Sequence, residues 1–464
     1  MKTRLPNQKK KKTKISLDSL PLLEPNAAGI DIAHREHWCA VPGDRCQRPV
    51  RPFGTFTEDL EKMADWLQEC GIKTVAMEST GVYWIAAFQV LERRGFKVLL
   101  VNTRHVKNVS GRKSDVLDCQ WIQRLHSYGL LNASFRPADA MCVLRSYLRY
   151  RDDLVCARGV QCQHMQKALQ QMNVQLHQVL SDVTGLSGLR IIEAILAGER
   201  DVRKLAGLAD RRVRASQATI EKALRGDYRT EHLFVLQSAL DLYQTYDRKI
   251  HLCDEQIIAQ MAQQPARVDP QQKPLPARKP GRSRLQDMVS GTDLREELYR
   301  CTGVDLTAIE GIGVLTAQVV ISEIGLDMTR WPSEKHFASW VGLCPDNRIS
   351  GGKVLSSHTR HVLSPVADAL RLAAATLHKS QTALGAFYRR MKARLGAVSA
   401  ITATAHKLAR IIYRLLKHGA LYVQQGMEAY ENKYRQRLLH NMAKTAAAFG
   451  FQLTPTSPPT PVVS

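Results

Sequence analysis

The chain has 464 residues, with 66 Lys and Arg against 43 Asp and Glu, a formal net charge of +23. Its length suits two or three domains of roughly 100–200 residues each. So large a cationic excess points to a polyanionic partner, nucleic acid first and an anionic membrane surface second. No run of about 18 apolar residues is present, so a bilayer-spanning chain is excluded, and the basic N-terminus does not suit a secretory signal. The expected location is the cytoplasm. Ten cysteines are scattered with no CxxC pair. They read as reduced small hydrophobes rather than as a zinc site or a disulfide scaffold.

The opening MKTRLPNQKKKKTK carries seven basic residues and no acid, which predicts a disordered, polyanion-binding tail over 1–25. NAAGIDIA, HWCAVPG and RPFGTF read as three strands in succession. TEDLEKMADWLQECG then has helical spacing, with Leu60, Met63, Trp66 and Leu67 on one face and Gly71 as a stop. IKTVAMEST and FKVLLVN are buried strands around a helix, VYWIAAFQVLERRG, and a further helix is predicted from Asp115 to about Ser127. Residues 26–138 are therefore expected to form an α/β domain, a mixed sheet flanked by helices.

From about 139 the period changes. Leu144, Leu148, Val155, Cys162, Met165, Leu169, Met172 and Leu176 form a heptad-like seam, which predicts a long coiled-coil-like helix in a helical region over 139–261. Its partner lies either in this chain or in a second copy. Residues 262–285 hold five prolines and six basic residues against one acid, so 262–293 reads as a linker or an exposed basic loop. A mainly helical unit is expected over 294–450, with a helix-hairpin-helix-like segment, and a proline-rich tail over 451–464.

Four acids stand out. Asp31 sits inside the apolar run GIDIA and Glu78 at the end of TVAMEST, where an unpaired charge is costly. Asp115 and Asp118 in GRKSDVLDCQWI are three apart, on one helix face. Separately, each has an ordinary reading, as a strand-end acid or as a helix N-terminal acid suited to the macrodipole. Together they form a set that can converge at one sheet edge and hold a hard divalent cation, magnesium or manganese. Two such ions can clamp the attacking and leaving oxygens of a phosphodiester exchange. Arg112 and Lys113 would then contact phosphate. In IEGIGVLTA, Gly311 and Gly313 mark a hairpin between helices that exposes N–H groups, or else a plain helix turn. In RISGGK, Gly351 and Gly352 free the backbone beside Ser350, flanked by Arg348 and Lys353. Ser350 is either a turn residue or a nucleophile.

The order Asp, Glu, Asp-x-x-Asp resembles the RuvC-type branch of the RNase H-like nucleases. GIDIAH, AMESTGVYW and GRKSDVLDCQWI resemble the three signature segments of the DEDD transposases of insertion sequences. LTAIEGIGVLTAQVVISEIG and FASWVGLCPDNRISGGK are similar to the transposase domain of the same family. The resemblance covers most of residues 26–450. It implies a RuvC-like domain whose Asp31, Glu78, Asp115 and Asp118 bind the metal, and a nucleophilic Ser350 that forms a phosphoserine in a composite site. It also implies a structured bridge RNA as guide, donor and target DNA as substrates, and a homodimer or homotetramer, nucleoid-associated when active. The family's Lys-x-Gly segment is missing; VLSSHTRHVLSPVADALRLAA stands there, leaving phosphate contacts to His358, Arg360 or His361. Tyr388 is read as structural or backbone-binding. The rivals are a metal-dependent junction or structure-specific nuclease, in which water attacks, and a nucleic-acid binder with a dead metal site.

Overall fold

The computed structural model describes residues 21–79, 81–101, 115–277, 284–360, 362–452 and 454. The side chains of Asp115, residues 285 and 286, 420–431 and 433 lie outside that description, as do the N-terminal basic block, Arg112, Lys113, His361 and most of the proline-rich tail. The chain divides into two compact units at Arg136/Pro137.

The first unit follows the predicted order. Strands β1 (Ala27–Ile32), β2 (Glu36–Ala40) and β3 (Val50–Gly54) precede helix α1 (Thr57–Glu69), β4 (Thr74–Glu78), α2 (Trp84–Arg93), β5 (Lys97–Val101) and α3 (Asp115–Ser127). The sheet order is β3-β2-β1-β4-β5, with β1–β2 and β2–β3 antiparallel and β1–β4 and β4–β5 parallel. Alternation along each strand divides the sheet into two faces. Ala28, Ile30 and Ile32 of β1, with Val75 and Met77 of β4, enter the main core against α1 and α2. Gly29 and Asp31, and Ala76 and Glu78, fall on the opposite face, where Ala76 and Val101 bury Ile122 of α3.

Gly29 explains how closely α3 lies on β1. A Cβ there would stand 2.3 Å from the backbone nitrogen of Gln123 and 2.5 Å from the carbonyl oxygen of Cys119, neither of which is a flexible side-chain end. Gly29→Ala is expected to push the helix off the sheet at a cost of about 3 kcal/mol. In the full-length chain, hydrogen exchange of β1 and α3 amides should quicken by on the order of a hundredfold. Unchanged protection there would contradict the close approach.

The second unit opens with α4 (Asp139–Gln171), then short helices α5 (Leu176–Val179), α6 (Leu186–Leu196), α7 (Val202–Gly207) and α8 (Gln217–Ala223), and returns through α9 (Thr230–Ala262). α4 and α9 form an antiparallel hairpin, each about 50 Å long. Arg151 donates to Asp254 at 2.5 Å, Arg158 pairs with Asp247, and the Cys253 thiol donates to the Tyr147 carbonyl at 3.3 Å. The heptad-like seam thus has a partner within its own chain. Of its residues, Leu144, Leu148, Met165, Leu169, Met172 and Leu176 are buried, whereas Val155 and Cys162 are half-buried. At the hairpin tip, Met165, Leu169 and Met172 share a core with Ile191, Ile192 and Leu236.

Beyond it come a two-residue ribbon, β6 (Met288–Val289) with β7 (Thr292–Asp293), helices α10 (Leu294–Thr302), α11 (Val314–Ile324) and α12 (Glu334–Val341), a hairpin of β8 (Arg348–Ser350) and β9 (Lys353–Ser356), and α13 (Pro365–Thr376), α14 (Ala383–Leu395), α15 (Ala397–His418) and α16 (Ala420–Ala448). The segment expected to be a linker is pinned where it is described. The Arg267 amide donates to the Arg300 carbonyl, and buried Arg295 donates to the Pro276 carbonyl at 2.8 Å and to Asp305 at 2.5 Å. Phe337, fully buried, meets Trp331 and Tyr413, and the Glu334 carboxylate accepts from both Arg410 and Arg414. Tyr388 is buried, as a structural residue would be. All ten cysteines are free thiols, and no described helix is long and apolar enough to cross a membrane.

Candidate active site

The parallel register of β1 and β4 sets Ile30 beside Met77, so Asp31 and Glu78, the next residue on each strand, stand side by side at the carboxyl ends. Both are half-buried and both belong to the α3 face. The helix runs antiparallel to these strands. Near its carboxyl end His126 hydrogen-bonds Thr74, at the start of β4, at 2.9 Å, and the Gln123 amide donates to the Ala27 carbonyl, at the start of β1, at 3.4 Å. The amino end of α3 therefore points toward the carboxyl ends of β1 and β4. Asp115 is its first residue, and Asp118 lies in its first turn.

Cys119 carries the electrostatic signature of this end of the sheet. Its buried thiol is pushed up to about 12, by burial first and then by the charge of Asp31, with Asp118 adding to it. A thiol in such a place is inert as a nucleophile. The spacing Gly-x-Asp in β1 and Asp-x-x-Asp-Cys in α3 was legible beforehand; what Gly29 and Cys119 do there was not.

The donor set is all oxygen, which fits magnesium or manganese and not a thiophilic metal. Among the described residues, no three His, Cys, Asp or Glu groups stand close enough together to hold an ion. The side chain of Asp115, the fourth acid, lies outside that set. The sheet and helix fix where the backbone of the acidic residues lies; closure around a cation needs their side chains to turn inward.

The serine segment has a different architecture. Ser350 ends β8 and pairs with Lys353, which begins β9. Gly351 and Gly352 between them have φ of +54° and +78°, the two positive angles that a tight two-residue hairpin turn requires. Every residue from 345 to 355 is exposed. Arg348 and Lys353 flank the serine, and the Arg360 guanidinium donates to the Ser339 carbonyl of α12 at 3.1 Å. His358 is exposed, and its carbonyl accepts from the Asp346 amide.

The glycine hairpin joins a single 3-10 turn, Leu306–Ala308, to α11, so the element before it is shorter than the helix expected there. Gly311 has φ +81°, and a Cβ on it would lie 2.9 Å from the Ala373 carbonyl of α13. Gly313 caps α11, leaving that helix's first N–H groups available at the turn. Sequence reading missed Glu310, whose carboxylate accepts from the hydroxyls of Ser380 and Thr382 and ties this turn to the start of α14.

The chain thus combines a mixed sheet, with acids at the ends of two parallel strands, and a mainly helical second unit, on a strongly basic sequence. Residues 28–174 match the model of DEDD-type IS110 transposases, described as a transposase, and residues 305–389 match that of the IS116/IS110/IS902 transposase family. The chain belongs to the IS110-type DEDD transposases. It is also similar to the IS110 insertion-element uncharacterized 43.6 kDa protein of Streptomyces coelicolor, at 29% identity over 119 residues. That match spans 25% of this chain and 29% of the relative's length.

Proposed function

We propose that this protein is the transposase of an insertion sequence, acting as a site-specific recombinase through an RNase H-like, RuvC-type first unit and a nucleophilic Ser350 in the second. The observation that carries the reading is the antiparallel course of α3, which brings Asp115 and Asp118 to the end of the sheet where Asp31 and Glu78 stand. The strand order, three antiparallel strands followed by two parallel additions, is compatible with that fold.

Asp31, Glu78, Asp115 and Asp118 would hold a pair of magnesium or manganese ions, whose chemistry when bound would be neutralisation of charge on phosphodiester oxygens. Ser350 stands at an exposed tip where a DNA backbone can approach it without a clash, and Lys353 is its cross-strand neighbour. A cation there favours the serine alkoxide and draws in the phosphate. The Ser350 oxygen attacks phosphorus as the bond to one strand breaks, and that strand leaves as a free hydroxyl after taking up a proton. The phosphoserine ester conserves the bond. A hydroxyl of the incoming strand then attacks phosphorus, and the serine oxygen leaves and regains its proton. Exchange needs no external energy source.

Arg112, Lys113, Arg348, Lys353 and Arg360, with the turns at Gly311, Gly313, Gly351 and Gly352, bind donor and target DNA and a structured bridge RNA that selects them. The net charge of +23 supports a load of more than one nucleic acid. The active species is a homodimer or homotetramer in a bacterial-type cytoplasm.

The test incubates full-length protein, with any RNA it retains, with magnesium and duplexes carrying the ends of its insertion sequence. A covalent protein–DNA adduct that survives denaturation and maps to the peptide holding Ser350 is expected. Free cut ends with no adduct would show that water attacks, and would make the protein a nuclease.

A further inference from the structure

The β8–β9 hairpin presents apolar side chains that no core requires. Ile349 and Val354 are cross-strand partners, at 62% and 59% exposure. Side chains alternate along a strand, so this pair projects from the face opposite to Ser350 and Lys353. Leu355, beside the register shift at Arg348/Ile349, is 70% exposed. Exposed β-branched pairs on a short two-stranded ribbon are an aggregation liability unless something covers them.

The local charge selects the occupant. Arg348 and Lys353 directly flank the pair, and Arg360 follows, against one acid, Asp346, in the hairpin. A cationic rim suits a phosphate backbone and not an apolar protein groove. Because the residues of the hairpin are surface-exposed and its turn is held by Gly351 and Gly352, the ribbon is narrow enough to enter a DNA groove. Apolar side chains of proteins seated in a DNA groove frequently enter between base steps and unstack them.

We propose that Ile349 and Val354 form a wedge that enters the base stack beside the phosphodiester that Ser350 attacks, unstacking the step there. The inference rests on the recombinase reading and deepens it. Strand exchange requires the bases next to the cut to leave one partner and pair with another, and the wedge occupies the space they vacate. One face of a single hairpin thus opens the duplex while the other carries the nucleophile. The ribbon links the two through the peptide bond between Ile349 and Ser350.

The probe is a duplex carrying the insertion-sequence end joined to its flanking DNA, with 2-aminopurine on either side of the junction, whose fluorescence rises when a base unstacks. With full-length protein, the RNA it retains and magnesium, wild type and Ser350→Ala should both raise the signal. Ile349→Ala/Val354→Ala should lose most of that rise while keeping gel-shift affinity and thermal midpoint, and Ile349→Leu/Val354→Ile should restore it. A double alanine variant that keeps the full rise overturns the wedge, as does one whose molar mass by light scattering falls while the rise persists, since the pair then covers another copy of the chain. Binding without any rise in the wild type also overturns it and leaves the recombinase reading intact. No binding by the wild type refutes the recombinase reading itself.

Discussion

Asp31→Asn should yield a folded protein that binds DNA and exchanges no strands. The substitution keeps the size of the side chain, removes its charge and turns one acceptor oxygen into an NH2 donor, on a half-buried residue at the end of β1. In the proposed mechanism Asp31 neutralises a cation that acts in the transition state, so its removal lowers the rate and not the affinity for DNA. A loss of at least about a hundredfold in exchange is expected, the size seen when one electrostatic group is removed from a preorganised site. Added manganese, which tolerates poorer oxygen ligation, should recover part of it. Binding should stay near wild type, since the phosphate contacts proposed here come from cations and not from this carboxylate. Full activity in Asp31→Asn would remove this carboxylate from the metal site. A nucleic-acid binder with a dead metal site predicts no exchange by the wild type and unchanged affinity when any of the four acids is replaced.

The first unit was largely legible in the sequence because its signals are local. The strands over GIDIA and TVAME, the helix over TEDLEKMADWLQE and the helix beginning at Asp115 all fall where periodicity and composition place them. Strands buried on both faces and bounded by glycines have few competing readings. What the sequence could not supply was direction. That α3 runs antiparallel to β1, with its acidic end at the acidic ends of the strands, depends on contacts such as Gln123 with Ala27, 96 residues apart.

The second unit illustrates the opposite difficulty. A heptad-like seam states that Leu144 and Leu148 need cover without stating whose, because a helix face carries no record of chain connectivity. The return of α9 along α4 settles the cover in this chain through Arg151–Asp254 and Tyr147–Cys253. RISGGK was legible as a turn, since two glycines in sequence favour positive φ. Its full exposure was not, because apolar residues such as Ile349, Val354 and Leu355 ordinarily signal burial.

Ser350→Ala decides between the two enzymes that this fold can support. In the recombinase the serine oxygen is the atom that becomes bonded to phosphorus; the other hydroxyl of the hairpin, on Ser356, stands opposite Arg348 at the far end of the ladder from the turn, and Arg348 and Lys353 carry no hydroxyl. Alanine should therefore abolish the covalent adduct and strand exchange together, a loss of at least about 10⁴-fold, comparable with removal of a nucleophile in other covalent enzymes. Folding should be untouched, because Ser350 is fully on the surface and the turn beside it is fixed by glycine backbone angles rather than by the hydroxyl. DNA affinity should also persist, since the phosphate contacts come from cations. Ser350→Cys adds a second discriminating result. A thiol attacks phosphorus poorly, yet it can be alkylated at the same position, so accessibility can be read without exchange. If Ser350→Ala cuts DNA as fast as wild type, the attacking oxygen comes from water, and the acidic sheet end works alone as a nuclease. If both Ser350→Ala and Asp31→Asn are inactive but only the former lacks the adduct under manganese, the acids activate and the serine bonds, which is the division of labour proposed here.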